Sequence, residues 1–71
     1  MDAIALIEKL PEIVPDNLWD RVVGGILSIE HNANHIAPEI YDPKHEVKIF
    51  LKDLAPDAPW VRKVLDLVDA A

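Results

Sequence analysis

Two histidines four residues apart, His31 and His35, lie in the segment Glu30-His31-Asn32-Ala33-Asn34-His35. On a helix that spacing projects both imidazoles from one face, where they could share a metal ion. Asp42, His45 and Glu46 follow shortly and would add ligands if the chain folded back, while Glu39 stands beyond Pro38. A zinc protease would read His-Glu-x-x-His, and here Asn32 occupies the place of the general-base glutamate. Hydrolytic zinc chemistry is therefore not expected, and the pair is at most a binding site. The competing reading is two solvated histidines on the polar back of a helix, because the apolar seam through Ile29, Ala33 and Ile36 lies nearly opposite.

Other catalytic patterns fail for similar reasons. Ser28 is the only serine, threonine is absent, and no nucleophile elbow surrounds Ser28. A helix surface near His31 or His35 offers neither an oxyanion hole nor a pocket. Gly24-Gly25 is not followed by the Lys-Ser or Lys-Thr of a phosphate loop. No catalytic residue is assigned, no cofactor is implied, and an enzyme is not expected.

The elements that would carry these residues are delimited by six prolines, at positions 11, 15, 38, 43, 56 and 59. A short first helix fits Asp2 to Leu10, followed by a linker whose Ile13 and Val14 should lie against the core. The second and longest helix should begin at an Asp16 cap, with Asn17 the rival, and end before Pro38 at about Ala37. Its seam is Trp19, Val22, Ile26, Ile29, Ala33 and Ile36, at alternating steps of three and four. Gly25 lies beside that seam, where close approach of another helix would explain it; Gly24, on the far side, has no packing reason. The third helix opens with Asp42-Pro43, a cap followed by proline at the first helical position. Val47, Phe50, Leu51 and Leu54 follow helical spacing, and Phe50 breaks the alternation that would make residues 46–52 a strand. A fourth helix should start near Asp57, bury Trp60, Val61, Val64, Leu65 and Val68, and fray where Asp66 and Asp69 oppose the helix dipole.

One echo runs through the chain. Pro15-Asp16-x-x-Trp19-x-Arg21-x-Val23 matches Pro56-Asp57-x-x-Trp60-x-Arg62-x-Val64 at five positions. It reads either as a shared way of starting a helix or as a duplicated helix–turn–helix unit. The stretch Val47 to Val68, with Val61-Arg62 opening its second helix, resembles a HEAT-type helical hairpin, which implies a protein-binding scaffold. Two such units fall short of the three or so a solenoid needs. The acidic helical profile is also similar to that of acyl carrier proteins. There the prosthetic-group serine follows an aspartate at a helix start, whereas Ser28 sits within a helix in Leu27-Ser28-Ile29.

Composition narrows the function further. The chain has 71 residues with seven Lys and Arg against thirteen Asp and Glu, a net charge of −6. Nucleic acid and anionic membrane are unsuited to such a chain. There is no cysteine, no apolar run long enough to span a bilayer, and no basic start of a signal peptide, so a cytoplasmic protein is expected. A single all-α domain over residues 1–71 follows: a small irregular four-helix bundle of two helical hairpins, the first helix short.

The surplus of apolar residues suggests a protein partner. Val23, Leu27, Ile49 and Leu67 all miss the main seams of their helices, more than a monomer of this size readily covers. They are candidate interaction residues, and a homodimer is one way to cover them. Lys44, Lys48 and Lys52 form a basic stripe that could meet an acidic surface, or simply a solvated face. The expected function is a small adaptor, regulatory or inhibitory protein acting through an apolar helix face. The alternatives are metal binding through His31 and His35, or a non-catalytic accessory subunit of a larger enzyme.

Overall fold

The computed structural model describes residues 1–36 and 39–71. Among the described residues there are four α-helices: α1 (Ala3–Glu8), α2 (Trp19–Ala33), α3 (Pro43–Leu54) and α4 (Pro59–Ala70), with a 3-10 turn, Asp16–Leu18, leading into α2. There is no strand among the described residues. The fold is all-α, a small helical bundle in which α1 packs on α2, α2 on α3 and α3 on α4.

The core is apolar throughout. Ala3, Leu6, Leu10 and Val14 meet Val22 and Ile26 of α2, Val47 and Leu51 of α3, and Val61, Val64 and Val68 of α4. No polar side chain is buried among the described residues. Val14 is buried and Ile13 half-buried, as expected of the linker. Its shape comes from Leu10, whose carbonyl accepts the N–H groups of Ile13 at 2.8 Å and Val14 at 3.0 Å. That turn folds two apolar residues back onto the end of α1.

At Asp42-Pro43, where the aspartate directly precedes the proline, the local signal decides the helix start. Asp42 is the N-cap of α3, accepting from the Lys44 N–H at 3.1 Å, with Pro43 at the first helical position. Residues 46–52 are helical. Asp2 caps α1 in the same way, accepting from the Ala5 N–H at 3.1 Å.

Four boundaries differ from expectation, the first being the end of α1, which stops at Glu8 and not at Leu10. Asp16 does not cap α2: it is the first residue of the 3-10 turn, and no side-chain hydrogen bond caps either that turn or the helix. Asp57 does not cap α4, which begins two residues later with Ala58 as its N-cap and Pro59 at the first helical position. The residue before a proline is pushed out of the helical region, and Ala58 sits at φ −79°, ψ 127°. Pro59 therefore overrides Asp57. Finally, α2 stops at Ala33 instead of reaching Ala37, and Ala37 and Pro38 lie outside the described residues. The Asn34 N–H is shared between the carbonyls of Glu30 and His31, each at 3.2 Å, so the last turn tightens at two weak helix formers, Asn32 and Asn34. Ile36, the expected end of the seam, is thereby left beyond the helix and exposed.

The repeated motif loses its structural equivalence with these corrections. Pro15-Asp16 enters a 3-10 turn, whereas Pro56-Asp57 lies in a turn before a second proline. Trp19 and Trp60 are both half-buried against the core, but Val64 is fully buried and its counterpart Val23 only half so.

Candidate functional site

The joint between α2 and α3 is built around a missing side chain. The Phe50 ring lies against Gly25 so closely that a Cβ there would clash with its Cζ, Cε2 and Cε1 atoms. Gly25 thus permits close approach of α3, as its place beside the seam suggested. Gly24 faces open space. With Val22, Ile26, Val47 and Leu51 buried beneath it, this joint is closed.

The joint between α1 and α2 is latched differently. Glu30, near the end of α2, reaches across to α1 and accepts the Ala3 N–H at 2.7 Å in a part-buried setting. Ala3 is the first residue of α1, so its N–H is one of the donors that a helix cannot satisfy internally. Carboxylates from Glu30 and Asp2 both serve this helix start, where the helix dipole favours negative charge. Glu30 was read from the sequence only as part of a metal-binding segment. A bond spanning 27 residues leaves no local signal beyond an acidic side chain on the flank of a seam.

Asp20, Val23, Leu27 and Glu30 recur at steps of three and four, so they share one face of α2. The Glu30 latch places the start of α1 against that face. Ile4 adjoins the latch in α1 and Leu27 lies one turn before it in α2. Ile4 is 57% exposed and Leu27 is 40% exposed. Val23 and Ile7 are half-buried alongside them, with Glu8 and Asp20 exposed at the margin.

The four proposed apolar interaction residues do not form a single surface. Leu67 is half-buried and packs against the core on the flank of α4 that also carries Trp60. Ile49 is 42% exposed, but it lies on the back of α3, turned away from Val47 and Leu51. Only Val23 and Leu27 share a face; Ile4, which sequence spacing had assigned to the first helix's own apolar set, follows the latched Ala3 in α1. Ile36 and Ile40, between α2 and α3, are also exposed.

The lysine stripe is divided as well. Lys48 pairs with Asp69 of α4 across the α3–α4 joint. Lys44 is half-buried. Lys52 is exposed and stands with Arg62 and Asp57 on the rim of an open groove of about 660 Å³, floored by Val61 and Leu65.

His31 and His35 are both exposed, with ring centroids 4.3 Å apart and planes tilted by 34°. His35 Nδ1 donates to the His31 carbonyl at 2.8 Å, which leaves only Nε2 of that ring for any ligand. Among the described residues no group of three His, Asp or Glu is placed to hold a metal ion. Asp42, His45 and Glu46 do not join the pair. Ser28 is exposed within α2 and does not line the groove floored by Val61 and Leu65.

Among the described residues no helix is long and apolar enough to cross a membrane. No protein-family model, curated protein or solved structure matches the chain.

Proposed function

We propose that the chain is a small, non-catalytic, cytoplasmic protein–protein interaction module whose docking face is the α1–α2 joint. The observation that supports this is the exposure of Ile4 and Leu27 on either side of the Glu30–Ala3 latch. A single exposed leucine or isoleucine is ordinary on a protein surface, but two flanking one helix–helix joint make a candidate contact centre. Val23 and Ile7, both half-buried, stand one turn from Leu27 and Ile4 on the same helix faces. Ile49, alone on the back of α3, lacks such neighbours on its own helix face, where Glu46 and Asp53 stand one turn to either side.

Photo-crosslinking tests this reading. A photoreactive residue placed at Leu27, and another at Asp66 on the exposed side of α4, are compared in extracts of the source cells. A discrete protein adduct from position 27, weakened by Ile4→Ser and absent from position 66, is the predicted result. Equal background from both positions would refute the docking face.

A further inference from the structure

We infer that the α1–α2 face receives a basic amphipathic helix, an inference that rests on the docking face proposed above and names its partner. The charge of this chain is unevenly distributed. Residues 1–42 hold eight acidic and two basic side chains, whereas residues 43–71 hold five of each. The entire net charge of −6 therefore belongs to the half that contains α1 and α2.

The same asymmetry is repeated around the apolar centre. Glu8 lies one turn from Ile4 along α1, and Asp20 lies one turn from Val23 along α2, both exposed. The exposed Leu27 and Ile4 thus mark an apolar strip at the joint, with a carboxylate on the same face of each helix. A helix presenting a leucine-type stripe flanked by Lys or Arg matches this strip in both respects. A second copy of the chain is the poorer occupant, because it would bring the same carboxylates against Glu8 and Asp20. Like charges across an interface are unfavourable, and they also slow encounter.

The test uses the full chain labelled with 15N and two synthetic helical peptides with one leucine stripe, flanked by Lys and Arg in the first and by Glu in the second. The basic peptide should move the amide signals of residues 4–8 and 20–31 and bind at least tenfold more tightly than the acidic one. The double variant Glu8→Gln, Asp20→Asn, which keeps side-chain shape, should weaken the basic peptide about fivefold and flatten its salt dependence. Equal binding of both peptides, or signals moving on α3 and α4 instead, overturns the inference. So do concentration-dependent shifts at this face in the protein alone, which would make a second copy the occupant. If position 27 still crosslinks a protein while neither peptide binds, the docking face stands and the basic helix is refuted. If both experiments fail, the face itself is refuted.

Discussion

The two joints of α2 solve the same problem with opposite chemistry. Toward α3, the helix omits a side chain at Gly25 and lets the Phe50 ring fill the space, so the contact is apolar and closed. Toward α1, a partner of only six residues, it extends the Glu30 carboxylate to a backbone N–H and leaves Ile4 and Leu27 partly in water. A closed apolar joint stabilises the bundle and leaves little for a partner to cover. A joint held by a hydrogen bond can orient a short helix while its apolar flank stays open. The closed and the open joint thus fall on opposite sides of one helix.

Substitutions at the two joints should separate these roles. The largest effect is expected at Gly25. Gly25→Ala drives a methyl group into the Phe50 ring, and overpacking of this kind costs about 1–3 kcal/mol, more than the gain in helix propensity returns. Urea unfolding would show a lower midpoint, and an unchanged or raised midpoint would mean that Phe50 can turn aside. Next comes Glu30→Ala, which leaves the Ala3 N–H without its partner at a part-buried position. A loss of about 1 kcal/mol is expected, with faster amide hydrogen exchange confined to α1. Uniformly faster exchange would show that the latch carries the whole bundle, not one joint.

Gly24 supplies the opposite sign. Its position is helical, exposed and without neighbours within 4 Å, so Gly24→Ala should raise stability by about 0.5–1 kcal/mol through helix propensity alone. Adjacent glycines, one destabilised and one stabilised by the same methyl group, would sharpen the contrast between closed and open faces. The smallest effects belong to Asp16→Ala and Asp57→Ala, which should stay within about 0.5 kcal/mol because neither side chain caps a helix. Asp42→Ala, by contrast, removes a cap and should cost about 1 kcal/mol.

What could be read from the sequence was what short-range chemistry determines. Asp42-Pro43 announces α3 because cap and proline act within two residues of each other. Gly25 could be assigned to a close approach because its angle to the seam of Val22 and Ile26 was readable from helical periodicity. Asp57 misled because two prolines competed, and the second, Pro59, imposed its backbone preference on Ala58. The role of Glu30 was hidden, since its partner Ala3 lies in another helix. The four off-seam residues could be named from helical periodicity but not sorted into covered and open ones. Burial of Leu67 and exposure of Leu27 depend on which neighbour flanks each helix, and periodicity within one helix carries no such information.

The central claim is that Ile4 and Leu27, the exposed apolar residues of the α1–α2 face, are spare to the fold, and urea unfolding of Leu27→Gln measured beside Ile26→Ala tests it most directly. Glutamine keeps the straight-chain helix preference, and Leu27 is already 40% exposed. The loss at position 27 should therefore be about 1 kcal/mol or less, against the 2–5 kcal/mol expected for truncating the fully buried Ile26. Equal losses at the two positions would place Leu27 in the core and contradict the account.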